Sequence, residues 1–148
     1  MKAKLLTCTD TEGWRIMPGF LVRVFGYAGE DDPIALVNEI GLDFLAAKPR
    51  WFKGAFIADD GQLVGHILAL ADGPMHRVWH MKFDVPMTRD ERKEFDDLVF
   101  GWAREMGCTK SESWVDDDAQ ARRLQIYYGY KRDKIRMRKA LQCESTAE

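Results

Sequence analysis

Apolar positions recur along this 148-residue chain with two different periods, and the changes between them mark out its elements. Residues 77–85 alternate. Trp79, Met81, Phe83 and Val85 fall on one side, and Val78, His80, Lys82 and Asp84 on the other, as expected for a strand with two unlike faces. Residues 53–58 and 63–71 are two more apolar runs. Asp59-Asp60-Gly61 between them is a hairpin signal, because glycine accepts the positive φ that tight turns require. Residues 2–8, 110–115 and 130–139 read as further strands. Elsewhere the spacing is three and four. Leu36, Ile40, Phe44 and Leu45 form one stripe of a helix opened by Asp31-Asp32-Pro33, where aspartate caps and proline needs no N–H. By the same reasoning Pro18 marks the first turn of an earlier helix, whose apolar content is Phe20 to Phe25 and whose stop is Gly26 or Gly29. Residues 88–106 predict an amphipathic helix ended by Gly107, and 118–128 a shorter one. The predicted order is β-α-α-β-β-β-α-β-α-β. This is an α/β (α+β) chain with a mixed, mostly antiparallel sheet and helices on both faces.

Composition narrows the classes. An apolar content of 46% in 148 residues supports one core, expected as a single domain over residues 1–141 with a loose polar tail at 142–148. A net charge of -2 gives no whole-molecule attraction to nucleic acid or an anionic bilayer, and no apolar run is long enough to span a membrane. Three widely spaced cysteines match neither a disulfide framework nor a metal site, so a reduced, cytoplasmic protein is expected.

The segment from Asp118 to Tyr130 carries a resemblance. Asp118, Ala121, Leu124, Gly129 and Tyr130 fall where the GCN5-related N-acetyltransferase (GNAT) family has Asn-x-x-Ala-x-x-Leu-Tyr-x-x-x-Gly-Phe in its last helix. Counting back without a gap, Ala103 and Gly107 match the end of that family's preceding helix, Leu98 its buried leucine and Val85 the end of its central strand. The chain therefore resembles GNAT proteins over roughly residues 2–139, and the element order agrees. Some other α/β domain of similar order is the alternative.

The resemblance implies acetyl-CoA chemistry, yet the positions that would carry it differ. The family's Arg-Gly-x-Gly-x-Gly pyrophosphate loop is replaced by Asp90-Glu-Arg-Lys-Glu-Phe95. Thr88-Arg-Asp-Glu91 has the form of a capping box, which would use the N–H groups a phosphate needs and add two carboxylates beside them. Gln125 stands where the family most often has its proton-donating tyrosine, and a glutamine amide is no acid at neutral pH. No cofactor is expected on this reading. If acyl transfer is retained, acetyl-CoA would lie against Val85, Thr88, Arg92, Val115 and Tyr127, with His80, Asp84 and Gln125 as the catalytic candidates. His66 and His76 have no partner at a telling spacing. Asp116-Asp117-Asp118 reads as a cation site or, more simply, as a solvated turn with a helix cap.

Two surfaces stand out for partners. Lys134, Arg136 and Arg138 would project from one face of the last strand, either as a contact for an acidic partner or nucleic-acid phosphate or as protection of an exposed edge. Trp14 and residues 13–27 are the other candidate contact. Two readings follow: a degenerate GNAT-fold docking or self-assembling protein, and an N-acetyltransferase with a divergent cofactor site. Short phage-encoded GNAT-like proteins of virions and their assembly are similar to the first in size and in the charged helix start. On that comparison the protein would also travel in a virion.

Overall fold

The computed structural model describes residues 1–27, 32–113 and 118–131. By its contacts the chain divides into two compact units, Met1–Ser113 and Trp114–Glu148. In the first, five strands form one sheet in the order β1 (Lys2–Leu5), β2 (Trp51–Ile57), β3 (Leu63–Asp72), β4 (Met75–Phe83) and β5 (Lys110–Ser113). Neighbours are antiparallel except β4 and β5, which are parallel. Helices α1 (Thr11–Tyr27) and α2 (Pro33–Leu45) follow β1, and α3 (Arg89–Glu105) connects β4 to β5. In the second unit the described element is α4 (Asp118–Tyr128), followed by Gly129 at φ 68.

Two apolar layers flank the sheet. On one face Phe20 and Val24 of α1 and Leu36, Ile40 and Phe44 of α2 pack on Trp51, Ala55 and Leu68. On the other, Phe95, Val99, Trp102 and Ala103 of α3 pack on Phe52, Phe56, Ile67 and Ala69. The expected mixed, mostly antiparallel sheet with helices on both faces is therefore present, with β4 between β3 and β5. At Gly13 the first helix passes so close to the preceding turn that a Cβ would sit 2.2 Å from the Thr7 carbonyl oxygen, which leaves room only for glycine.

Much of the predicted local chemistry is in place. Asp32 caps α2 by accepting from the Ala35 N–H, and Pro33 follows at the first helical position. The β2–β3 turn closes with Gly61 at φ 85. Gly107 ends α3 at φ 88, and α4 has the expected bounds.

Three expectations need correction. The first strand stops at Leu5 rather than residue 8. The first helix opens at Thr11, not Pro18, because the Asp10 carboxylate accepts from the Glu12 N–H. Pro18 then lies inside the helix on its exposed side, where its missing N–H leaves the Trp14 carbonyl without the usual helical donor. Leu45 is exposed rather than part of the α2 stripe. The last strand, expected over 130–139, falls almost wholly outside the described residues.

Candidate functional site

The alternation read along residues 77–85 is broken by a β-bulge. Leu68 pairs with His80 and Ala69 with Val78, so Trp79 has no opposite number on β3. One extra residue reverses the side-chain parity. Trp79 therefore meets Trp51 on the α1/α2 face, at a centroid distance of 5.5 Å, while Phe83 packs with Phe56 and Phe95 on the α3 face. Trp79 and Phe83 do not share a face as the sequence pattern implied. His80 and Asp84 do share one, toward α1.

Four polar side chains meet there. Arg23, from the middle of α1, places its two terminal nitrogens 2.8 and 3.1 Å from the two carboxylate oxygens of Asp84. Its Nε donates to His66 Nδ1 at 3.1 Å, and His66 Nε2 lies 2.8 Å from His80 Nδ1. The two rings are 13° from coplanar with centroids 5.0 Å apart, an edge-to-edge hydrogen bond. His66 is fully buried, and burial first, then the nearby His80 and Arg23, pushes its imidazole down to about 3. Hydrogen bonding from Arg23 holds the Asp84 carboxyl below the usual range. Asp84 is thus a poor base in this arrangement.

Sequence reasoning found His80 and Asp84 but gave His66 no partner and missed Arg23. Counting back along both strands from the β3–β4 turn would set Met81 opposite His66 and turn His80 to the other face. The bulge instead sets Lys82 opposite His66 and brings His80 to its side, and nothing local in the sequence marks it. His76, for which the sequence offered no partner, lies buried in β4 with Nδ1 2.8 Å from the Ser111 hydroxyl of β5. Its Nε2 has no hydrogen-bond partner among the described residues, and burial pushes the ring down to about 4. The buried Lys53 was also unassigned. Its ammonium binds Asp43 and the Trp51 carbonyl, both at 2.6 Å, tying α2 to β2.

The start of α3 is organised as the Thr88-x-x-Glu91 spacing predicts. The Thr88 hydroxyl accepts from the Glu91 N–H at 3.2 Å, and the Glu91 carboxylate accepts from the Thr88 N–H at 2.9 Å. Asp90 and Glu91 both sit in the first turn. Val85 is partly exposed just beyond β4. The charge of Arg92 is felt by Asp96, although burial dominates there and raises that carboxyl to about 6. Pairing of β4 with β5 is recorded from Met75↔Lys110 to Val78↔Ser113, ending just before the bulge. Gln125 is exposed on α4. Val115, Lys134, Arg136, Arg138 and the side chain of Tyr127 lie outside the described residues, as do Asp116 and Asp117. Among the described residues no cluster of metal-ligating side chains occurs, and no helix is long and apolar enough to cross a membrane.

Comparison with solved structures decides the fold. The aminoglycoside N-acetyltransferase AAC(6')-Iy, in complex with a bisubstrate analogue, overlays on 96% of this chain and 98% of its own, with a TM-score of 0.65 at 16% identity. This is the GNAT fold. The 6'-N-acetyltransferase AAC(6')-IG of Acinetobacter haemolyticus overlays on 97% of the chain and 99% of its own, with a TM-score of 0.62 at 11% identity. A ribosomal-protein-alanine N-acetyltransferase of Brucella melitensis covers 95% of the chain and all of its own at 17% identity, with a TM-score of 0.55. No family model and no curated protein matches the sequence. At these identities the GNAT likeness is one of fold.

Proposed function

We propose that this GNAT-fold chain works by docking rather than by acyl transfer, and that the partner is a second copy of itself. The observation that carries the non-catalytic part is the reciprocal cap at the start of α3. Thr88 and Glu91 each satisfy a backbone N–H of the other, where a helix would otherwise present donors to phosphate. Asp90 and Glu91 add negative charge at the same end. These residues do not fit a pyrophosphate. Nearby, Asp84 is committed to Arg23 and the Nδ1 of His80 to His66, so neither offers a ready base. Titration with coenzyme A and with acetyl-CoA, by calorimetry or thermal shift, should give no binding in the micromolar range. Replacing Asp90, Glu91 and Lys93 by glycine should strengthen binding while costing about 1 kcal/mol of helix stability per glycine. Micromolar binding by the unaltered protein would overturn this reading.

The surface for docking is the outer side of α1 and α2. The two helices run antiparallel, with Trp14 at the start of one against Phe44 near the end of the other. Trp14, Val22 and Phe25 on α1 and Ile34, Leu42 and Leu45 on α2 are each 52% to 72% exposed. Together they offer roughly 600 Å² of apolar surface, near the upper end for a lone monomer and most of the ~800 Å² that each partner gives a standard interface. A second copy supplies the same apolar side chains for a self-complementary contact, with the exposed Arg15 and Glu39 beside them. Val22→Glu with Leu42→Glu should leave stability within about 0.5 kcal/mol and convert a dimer to a monomer in sedimentation. A wild-type protein that sediments as a monomer at every concentration would refute the self-docking. Assembly in a phage particle is the setting that the small size and the charged α3 start favour.

An acyltransferase with a divergent cofactor site is the second reading, favoured by the near-complete overlap with aminoglycoside acetyltransferases. It requires His80 or Asp84 to take the amine proton and Val85, Thr88 and Arg92 to flank acetyl-CoA. The coenzyme A titration separates the two.

A further inference from the structure

The hydrogen bonds around Arg23 determine where the protons of two histidines sit. A guanidinium Nε–H can only donate, so His66 Nδ1, 3.1 Å away, must accept. The one proton of neutral His66 is therefore on Nε2. That nitrogen lies 2.8 Å from His80 Nδ1, and since it already carries the proton, His80 Nδ1 accepts in turn. The reverse assignment would leave His66 with no proton on either nitrogen. A neutral His80 so engaged carries its own proton on Nε2.

We propose that Arg23 is a positioning residue which, acting through His66, fixes the Nε2–H tautomer of His80, so that the second nitrogen of that ring is a hydrogen-bond donor to whatever group lies beside it and not a proton acceptor. Asp84 completes the device from the other end. Its two oxygens hold both terminal nitrogens of Arg23, which orients the guanidinium and directs Nε at His66. The four groups come from α1, β3, β4 and the residue just beyond β4, so the bulge at Trp79 is what brings His80 to the same side as Arg23. The inference goes beyond the docking reading and holds whether or not the chain transfers an acyl group.

Two-bond nitrogen-15 correlation spectra of the folded protein at neutral pH test it. Both His66 and His80 should show the pattern of a ring protonated at Nε2 alone. In Arg23→Met, which removes the donor, His66 should become a mixture of tautomers and the Nδ1 signal of His80 should move with it. Asp84→Asn leaves Arg23 one acceptor in place of two, so the guanidinium is held less firmly and both rings should show the Arg23→Met change in weaker form. A purely structural role for Arg23 would shift stability without moving the tautomers. The proposal is overturned by a wild-type His80 protonated at Nδ1, or by an Arg23→Met protein in which both rings are unchanged. Should Arg23→Met fail to fold, Arg23→Gln serves the same comparison, since its amide can either donate to Nδ1 or accept from it.

Discussion

Acidification from pH 7 to pH 4 should cost this protein about 5 kcal/mol of stability, through two buried histidines alone. Burial lowers His66 to about 3 and His76 to about 4, both well below the ordinary 6.5. The folded state therefore keeps both rings neutral at pH values where the unfolded chain would protonate them. Stability is complete above pH 6.5 and is lost as the pH falls from there toward 4 and 3. Each histidine adds a slope of up to about 1.4 kcal/mol per pH unit, and the two act over the same window. A loss of that size is comparable with the whole stability of many domains of this length. Urea unfolding measured at several pH values should show the slope, and His76→Asn should remove close to half of it. A flat profile between pH 6.5 and 4 would mean that neither ring is held neutral by burial.

The second large effect belongs to Asp43. This carboxylate accepts from the Lys53 ammonium and from the backbone N–H groups of Arg50 and Trp51. Lys53 is 1% exposed, and burial lowers its pKa against the opposing pull of Asp43. Asp43→Ala would leave a buried ammonium with only the Trp51 carbonyl for company, at a cost of about 3–5 kcal/mol. Lys53→Met removes the charge and keeps the length, so its cost should be under about 1 kcal/mol. The double variant should be more stable than Asp43→Ala alone, although the two N–H groups still lose their acceptor. If Asp43→Ala and Lys53→Met proved equally costly, the pair would act as plain packing and not as a compensated charge.

How far the sequence revealed this structure depended on the range over which each feature is decided. Capping and turn residues act within a few positions. Accordingly the Asp32 cap of α2, the Gly61 turn, the Thr88/Glu91 box and the Gly107 stop were legible. Pro18 misled because proline marks an opening only when no better cap precedes it, and Asp10 does. The bulge at Trp79 has no local signature, since it is a property of the pairing between β3 and β4. Alternation alone therefore put Trp79 on the wrong face. The candidate site failed to appear for the same reason. His66 and His80 are fourteen residues apart and Arg23 is forty-three from His66, so only the register of the sheet and the position of α1 bring them together. His80 and Asp84, four residues apart in one extended stretch, could be found as a pair.

The strand order has a consequence for how the chain reaches this state. β2, β3 and β4 are consecutive and joined by short turns, so their pairing closes only small loops. β1 must instead find β2, with Lys2 opposite Ile57, across a segment that holds both α1 and α2. Because closing a longer loop costs more chain entropy, the central meander is expected to form in the folding transition state and β1 to add afterward. Substitutions in β1 would then mainly accelerate unfolding, and those at the β3–β4 contact would mainly slow folding, a division that φ-values can measure. The strand that precedes both helices would be among the last to settle.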